Sequence, residues 1–238
     1  MLTSLLLRPA AWLRALPSQC AVCRTWQARR VCAACLRRFA RTVPRCVRCA
    51  IQVPEGVLTC GACLRHPPPW THAVAALDHA YPWAKLVADL KFHERLDLVE
   101  PLAQRLLAAI RERDAAPPEL VLPVPLSRAR LGERGYNQAW EIARWLARRL
   151  GLPAHADWLV RVRDTAQQMT LSQAQRRTNL RGAFAVEPHR LAAVHGRSIA
   201  LVDDVMTTGA TAGELARTLL QAGAREVRVW IVTRTPRE

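Results

Sequence analysis

Eight cysteines occupy residues 20–63 of this 238-residue chain, and no cysteine follows Cys63. They form four C-x-x-C pairs: Cys20/Cys23, Cys32/Cys35, Cys46/Cys49 and Cys60/Cys63. A C-x-x-C turn puts two thiolates on one side of a tight knuckle, and two knuckles supply the four sulfurs of a tetrahedral zinc site. The cysteines therefore predict two structural zinc ions. Sequential pairing of neighbouring knuckles is the simplest arrangement, and an interleaved cross-brace also fits the spacing.

Two other uses of cysteine fit the pattern less well. A disulfide framework needs an oxidising compartment, and we expect no export signal in this chain. Redox C-x-x-C motifs rarely occur four in a row. Closure by four sulfurs leaves no open coordination position, which predicts structural rather than catalytic metals. We expect His66, just beyond the last pair, to be a surface residue and not a ninth ligand.

Three consecutive prolines mark a predicted domain boundary. Pro67, Pro68 and Pro69 form a stiff spacer. We place a double zinc ribbon with a short amino-terminal helix in residues 1–66 and a second domain in residues 67–238. No apolar run reaches the ~20 residues of a membrane-spanning helix. Residues 1–16 lack a signal-peptide cleavage pattern, so we expect a cytoplasmic protein.

The charge of the chain is strongly positive. Lys and Arg number 35 against 19 Asp and Glu, which gives a net charge of +16. Such an excess is compatible with nucleic-acid binding. An arginine-rich, lysine-poor composition also follows from GC-rich coding, so the charge alone leaves both interpretations open.

The residues after the prolines alternate between strand and helix patterns. Predicted strands cover residues 73–80, 119–124, 198–202 and 226–233, and predicted helices cover residues 84–92, 98–111, 137–150 and 212–222. Strands separated by helices predict βαβ units and a parallel sheet, so the predicted fold class is α/β. In such sheets ligands bind beyond the carboxyl ends of the strands.

One strand end carries an informative group of polar residues. Residues 199–211 read I-A-L-V-D-D-V-M-T-T-G-A-T, in which four apolar residues precede Asp203 and Asp204. A small, hydroxyl-rich loop then opens into a helix: Thr207, Thr208, Gly209, Ala210 and Thr211. Free N–H groups at a helix start suit a phosphate, and carboxylates accept hydrogen bonds from a sugar diol. The segment predicts a site for a phosphorylated sugar.

A purely structural interpretation explains part of this segment. Thr211 and Glu214 match the capping-box pattern T-x-x-E, and Asp203 and Asp204 are common turn residues. A cap accounts for the end of the segment but not for paired acids directly after a buried strand. We therefore favour the binding site.

These thirteen residues resemble the phosphoribosyl diphosphate (PRPP) binding motif of type I phosphoribosyltransferases, a hydrophobic strand followed by two acids and a T-T-G-x-T loop. The resemblance implies that Asp203 and Asp204 bind the ribose 2′- and 3′-hydroxyls. It implies that residues 207–211 hold the 5′-phosphate. It also implies that Mg2+ binds through the diphosphate and ribose oxygens.

Further segments resemble the ComF family. They are Pro123-Val124-Pro125-Leu126; Arg128, Arg130 and the run E-R-G-Y-N-Q-A at residues 133–139; Arg161, Arg163, Thr165, Gln168 and Leu171; and Arg176, Asn179, Gly182, Ala183 and Phe184. The four C-x-x-C pairs resemble that family's double zinc ribbon. The resemblance covers nearly the whole chain. It implies a type I phosphoribosyltransferase-like sheet after the ribbon and a link to competence for DNA uptake.

The ComF resemblance also implies binding roles for single residues. The segment 123–126, with Val124 inside it, would face the diphosphate, and Arg128, Arg130 and Arg134 would line the site's mouth. Residues 164–180 would close over PRPP. Within this segment the candidate ligand contacts are Gln168, Arg176 and Arg177, and Arg163 just before it is a further candidate.

The activity implied is attack of a nitrogen nucleophile on ribose C1 with release of pyrophosphate, with Asp203 and Asp204 as the catalytic carboxylates and the acceptor unknown. One rival hypothesis is a non-catalytic protein that binds PRPP or a nucleotide. A second is a single-stranded DNA binding protein that uses the zinc ribbons and the arginine-rich surface. The resemblance further implies competence-machinery proteins as partners.

Overall fold

The computed structural model describes residues 18–113, 116–163 and 180–236. The chain divides into two compact units, Met1–Arg41 and Thr42–Glu238. The predicted amino-terminal helix lies outside the described residues. The four-cysteine segment 46–63 thus belongs to the same compact unit as the residues that follow it, while our boundary at residues 67–69 remains a prediction from composition.

The first unit is a small zinc-ribbon fold. Strand β1 (Ser18–Gln19) pairs antiparallel with β2 (Trp26–Gln27), and helix α1 covers Ala33–Phe39. Cys32 is the N-cap of α1, and its sulfur accepts a hydrogen bond from the N–H of Cys35. The cap and the second cysteine pair are therefore the same turn.

The second unit is built around a parallel sheet. Its strands are β3 (His72–Asp78), β4 (Leu120–Pro123), β7 (Ser198–Met206) and β8 (Glu226–Arg234), in the order β3-β8-β7-β4. All three pairings are parallel. A separate antiparallel pair is formed by β5 (Leu159–Arg161) and β6 (Phe184–Val186). The predicted α/β fold class is confirmed.

Helices connect and cover these strands. They are α2 (Gly61–Arg65), α3 (Trp83–Phe92), α4 (Val99–Arg113), α5 (Arg128–Arg134), α6 (Gln138–Leu150), α7 (Leu191–Val194) and α8 (Ala210–Gln221), with 3-10 turns at Leu96–Leu98 and Pro188–Arg190. Helices α4 and α6 pack on the sheet and on each other, and α8 packs on β7 and β8. The predicted cap of α6 is confirmed, because the Asn137 side chain accepts hydrogen bonds from the N–H groups of Ala139 and Trp140.

The apolar core fixes the position of the sheet's carboxyl edge. Leu122, Leu201 and Ile231 on the strands are buried in one cluster with Leu215 and Leu219 of α8. A fully buried leucine contributes about 1.5–3 kcal/mol, so this cluster holds β7 and α8 in a fixed relation. The loop that joins them is thereby held at the edge of the sheet.

Strand β7 is longer than the sequence pattern predicts. The apolar run ends at Val202, but the strand continues through Asp203 and Asp204 to Met206. The reason is pairing with β8, since Asp203 lies opposite Ile231 and Met206 lies opposite Arg234. Ladder pairing overrides the weak strand propensity of aspartate, and both acids lie within the strand, not after it. In the described part of the chain, no helix is both long and apolar enough to cross a membrane.

Candidate functional site

The cysteines form two separate four-sulfur clusters. Four sulfurs belong to Cys20, Cys23, Cys32 and Cys35, and four to Cys46, Cys49, Cys60 and Cys63, with the sulfurs of each group within 4.8 Å of one another. The pairing is therefore sequential, and the cross-brace alternative is wrong. All eight cysteines are free of disulfides.

The cluster geometry fits zinc. The sulfur–sulfur distances are 3.9 Å for Cys20 to Cys35 and 3.6 Å for Cys49 to Cys60. Zn–S bonds of about 2.3 Å in a tetrahedron place the sulfurs about 3.8 Å apart. Backbone N–H groups also point at the sulfurs, as from Cys60 to Cys46 Sγ at 3.3 Å. These eight residues would hold two structural zinc ions, and the exposed His66 lies outside both clusters.

The acid pair lies near the carboxyl end of β7, in two different environments. Asp203 is partly exposed, and its Oδ1 accepts a hydrogen bond from the N–H of Asp204 at 2.9 Å. The Asp204 residue is only 2% exposed. Successive strand residues usually point to opposite faces of a sheet, yet the carboxyl groups of Asp203 and Asp204 lie close enough to hydrogen-bond to each other. Asp203 is the more exposed of the two acids.

The pKa values of the two acids move apart. Burial, followed by the nearby Asp204 carboxylate, raises the pKa of Asp203 well above its ordinary value. Burial is the largest effect on Asp204 and would raise its pKa, but the charge of Lys91 and the hydrogen bonds from Asp203, Lys91 and the backbone together lower it. The ionised form is therefore favoured at Asp204 and disfavoured at Asp203.

Lys91 is a site residue that our sequence analysis missed. It lies in α3, and its Nζ is 2.6 Å from Asp204 Oδ2. His79 and Thr233 extend this network, since His79 Nδ1 is 2.9 Å from Thr233 Oγ1, whose hydroxyl donates to the Asp204 carbonyl. Burial and then the charge of Lys91 lower the pKa of His79. The one available signal was rarity, because the chain has only two lysines, Lys85 and Lys91.

The loop of residues 207–211, here called the phosphate loop because the sequence predicts a phosphate there, turns from β7 into α8 at Gly209. Gly209 has φ +79°, a left-handed conformation that favours glycine, and it is the N-cap of α8. Thr208 Oγ1 accepts a hydrogen bond from the N–H of Ala210 at 3.3 Å. The first N–H groups of a helix lack intrahelical partners, so this turn presents donors at the edge of the sheet.

The capping-box interpretation of Thr211 is wrong. Thr211 lies inside the first turn of α8, and the N-cap is Gly209. The Glu214 carboxylate is used elsewhere, because its Oε1 accepts the N–H of Gly182 at 2.6 Å and its Oε2 pairs with Arg217 at 2.8 Å. The capping-box part of the structural alternative therefore fails.

The predicted residues of the neighbouring strand lie at the same edge. The N–H of Val124, just after β4, donates to the Val202 carbonyl at 2.9 Å. Its own carbonyl accepts a hydrogen bond from Asn137 Nδ2 at 3.0 Å. The next turn leads into α5, where the Ser127 side chain caps the helix through the N–H of Arg130. Val124 and the start of α5 are thus held close to the end of β7.

The predicted arginines divide into those near the acids and those elsewhere. Arg128, Arg130 and Arg134 all lie in α5. Burial and the neighbouring Arg130 lower the pKa of Arg134, and the Asp204 carboxylate partly offsets this, which puts both within electrostatic range of Arg134. The Arg134 guanidinium also lies 4.9 Å from the centre of the exposed Phe92 ring.

Arg163 is not joined to this group by any contact within the described residues. The Arg163 guanidinium donates to the Arg181 carbonyl, at the start of the segment that leads into β6. Gln168, Arg176 and Arg177 lie outside the described residues, as does nearly all of the segment 164–180 predicted to close over the ligand. Their proposed contacts stay predictions.

Comparison with known proteins gives three relevant similarities. The Double zinc ribbon domain family matches residues 12–64. The DNA utilization protein YhgH of Salmonella typhimurium is 37% identical over 209 residues, 86% of this chain and 90% of that protein. Competence protein F of Haemophilus influenzae is 33% identical over 208 residues, with the same coverage of 86% and 90%.

Among solved structures, the adenine phosphoribosyltransferase of Leishmania tarentolae matches 68% of this chain and 76% of that chain at 15% identity, with a TM-score of 0.38. This likeness is too weak to carry an argument about the site. The two sequence relatives, by contrast, extend across the ribbon and the sheet together.

Proposed function

Because the chain belongs to the ComF family of DNA utilization and competence proteins, we propose that it binds PRPP with Mg2+ at the carboxyl edge of its parallel sheet and transfers the phosphoribosyl group to a nitrogen acceptor. We place this activity in DNA uptake, by analogy with relatives whose names refer to competence and DNA utilization. The acceptor is of unknown identity.

The observation that carries this proposal is the continuity of the acid pair and the phosphate loop. Asp203 and Asp204 lie on β7, two intervening residues separate Asp204 from Thr207, and Gly209 turns the chain into α8. A carboxylate that can accept from a diol and a helix start that can donate to a phosphate therefore lie on a single strand-loop-helix unit. The diol of a ribose 5-phosphate would bind the carboxylates, and its phosphate would bind the N–H groups of the helix start.

The cations of the site have a matching role in the proposal. Lys91 keeps Asp204 ionised, and Arg130 and Arg134 of α5 lie on the side of the sheet edge that follows β4. Guanidinium groups pair well with diphosphate oxygens, so these arginines would bind the leaving group. The bound Mg2+ would neutralise diphosphate charge in the same region.

The proposed step is a displacement at ribose C1. The bond from C1 to the diphosphate oxygen breaks, the diphosphate takes the electron pair, and the acceptor nitrogen forms the new bond to C1 and loses its proton to solvent. Positive charge builds up on the ribose ring and negative charge on the diphosphate. Asp203 and Asp204 would stabilise the first charge and the arginines the second, so catalysis is mainly positioning and electrostatics.

The combined variant Asp203→Asn with Asp204→Asn tests the site. Each charged hydrogen bond contributes about 1.5–3 kcal/mol, and each 1.4 kcal/mol changes affinity tenfold. We therefore expect PRPP affinity, measured by titration calorimetry with Mg2+, to fall at least about 100-fold. Pyrophosphate release with a panel of nitrogen acceptors then separates a transferase from a binding protein.

A control variant changes the net charge by the same amount at positions away from the site. Asp157 and Glu112 are exposed acids away from β7, so Asp157→Asn with Glu112→Gln removes the same two charges. This control should bind PRPP as the unmodified protein does. Equal affinity of the site variant and the control would contradict the assignment of Asp203 and Asp204, and failure of the unmodified protein to bind PRPP would contradict the proposed function.

A second candidate function, binding of single-stranded DNA, is favoured by the surface of the first ribbon. Trp26 of β2 is 67% exposed, an unusual state for the largest apolar side chain. Exposed arginines surround it in sequence: Arg24, Arg29, Arg37 and Arg38. Exposed aromatic rings stack on bases, and guanidinium groups bind phosphates, so this combination suits a single strand.

Salt titration separates this second function from the first. Replacement of counterions by arginines makes DNA affinity fall steeply with salt, and loss of one stacked base costs about 1–3 kcal/mol. Trp26→Ala is expected to weaken binding of an oligonucleotide about tenfold or more, and Trp26→Phe much less. Binding that is unaffected by salt and by Trp26→Ala would rule this surface out.

A further inference from the structure

Arg234 connects the second cysteine cluster to the phosphate loop. It ends β8 and is 2% exposed. Its Nε donates to the carbonyl of Cys49 at 2.9 Å, and its Nη1 donates to the carbonyls of Met206, at 2.8 Å, and of Thr207. One buried guanidinium therefore holds a cysteine knuckle and the start of the loop together.

These hydrogen bonds fix the direction of the loop's donors. In a trans peptide the carbonyl and the following N–H point in opposite directions. When Arg234 binds the carbonyls of Met206 and Thr207, the N–H groups of Thr207 and Thr208 point away from Arg234. These N–H groups are among the donors that a phosphate at this loop would need.

Trp70 forms a second connection between the same two regions. Its ring is 4% exposed, and its indole N–H donates to the carbonyl of Arg48, inside the Cys46/Cys49 knuckle. A Cβ built on Gly209 would lie 3.1 Å from Trp70 Cη2, and one on Gly213 would lie 3.7 Å from Trp70 Cζ3. The ring therefore packs directly under the turn from the loop into α8.

The second ribbon has few apolar side chains of its own, although Arg48 in its knuckle also donates to the carbonyls of Thr71 and Pro68. The second ribbon comprises residues 44–65. In the described part of the chain, its buried cluster consists of cysteines together with Ile51 and Val53. It is attached to the sheet by the Arg45–Asp78 ion pair at 2.8 Å and by the bond from Ala73 N–H to the Val47 carbonyl. Small modules of this kind depend on metal for their folded shape.

We propose that the second zinc ribbon is a positioning element of the phosphate loop, acting through Arg234 and Trp70, so that affinity for phosphate depends on the metal held by Cys46, Cys49, Cys60 and Cys63. The inference rests on the proposed function, because it assumes that the loop binds a phosphate. Arg234 and Trp70 are positioning residues, since neither is assigned a contact with the ligand.

The test compares two buried arginines of the same strand. Arg228 is 7% exposed and pairs with Glu226 at 2.8 Å, near the start of β8, whereas Arg234 lies at its end beside the loop. We expect Arg234→Met to weaken PRPP binding about tenfold or more by calorimetry, and Arg228→Met to leave the affinity unchanged. Arg234→Lys keeps the positive charge but not the planar guanidinium that donates several hydrogen bonds, so this variant should bind PRPP with intermediate affinity.

The metal gives an independent arm of the same test. Cys60→Ser removes a ligand from the second cluster and should weaken PRPP binding about tenfold, while Cys32→Ser removes a ligand from the first cluster and should not. Full-length protein loaded with zinc is used throughout. The Arg234→Lys variant serves if Arg234→Met does not fold.

The outcomes separate this inference from the proposed function. If the unmodified protein binds PRPP and the Arg234 and Cys60 variants bind it equally well, the positioning role is wrong and the binding site stands. If the Arg228 and Arg234 variants lose affinity equally, the effect is general destabilisation and the inference is also wrong. If the unmodified protein does not bind PRPP, the proposed function fails first.

Discussion

Replacing Cys60 by serine is expected to lower the zinc content of the purified chain from two ions to one. A serine hydroxyl does not ionise near neutral pH and cannot replace the thiolate that zinc binds. Cys60 belongs to the second cluster alone, with Cys46, Cys49 and Cys63. The first cluster keeps all four of its ligands, so one ion should remain.

The same change should unfold the second ribbon but not the sheet. Structural zinc contributes about 10–16 kcal/mol of apparent binding free energy in zinc-finger peptides, far more than two buried side chains such as Ile51 and Val53 supply. The sheet has its own apolar cluster, which includes Leu122, Leu201 and Leu215. We therefore expect rapid proteolysis within residues 44–65 and continued protection of β7 and β8.

Elemental analysis of the metal and mass spectrometry of the protease fragments measure these two effects. His66→Ala is the matched control, because His66 follows the cluster directly and is exposed. It should retain two zinc ions and the original fragment pattern. Retention of two ions by the Cys60→Ser variant would contradict the four-cysteine assignment.

The parts of this site that the sequence predicts are those that depend on neighbouring residues. The C-x-x-C knuckles are four-residue turns, so their number and their capacity for zinc follow from spacing. The phosphate loop is similar, because the positive φ of Gly209 and the start of α8 depend on a few adjacent residues. Asn137 as the cap of α6 is predicted for the same reason.

The parts that were not predicted depend on residues far apart in the chain. The extension of β7 past Asp203 results from pairing with β8. Lys91 meets Asp204 across more than a hundred residues, and Arg234 meets Cys49 across an even longer separation. The assignment of Thr211 as a cap fails because Glu214 binds Gly182 and Arg217 instead. No local pattern contains these contacts, since the fold creates them.

Lys91→Met is expected to destabilise the protein strongly. Lys91 has a side chain 21% exposed, and its Nζ lies 2.6 Å from the Asp204 carboxylate, which is 3% exposed. Removal of one partner of a buried ion pair costs about 3–5 kcal/mol, because the other charge stays buried without compensation. Partial exposure of Lys91 puts the expected loss near the lower end, about 3 kcal/mol. For a chain of this size that lowers Tm by about 6–12 °C.

The chain's other lysine is the natural control for this experiment. Lys85 lies in the same helix, and its Nζ is 2.8 Å from Asp89, but its side chain is 58% exposed. An exposed i,i+4 pair contributes only about 0.3–0.5 kcal/mol, so Lys85→Met should shift Tm by no more than about 2 °C. Equal shifts for the two variants would contradict a buried charge at Asp204.

The pH dependence identifies the carboxylate responsible. The pKa of Asp204 is lowered in the folded chain, so its ion pair stabilises the protein above the unfolded value of about 4 and this contribution is lost as pH falls through the folded pKa. The Tm difference between Lys91→Met and the unmodified protein should be full at pH 7 and should shrink on acidification below about pH 4. Asp204→Asn added to Lys91→Met removes the uncompensated charge and should recover part of the lost stability at pH 7. A difference that stays constant with pH, or a double variant less stable than Lys91→Met, would show that Lys91 acts by packing and not by its charge.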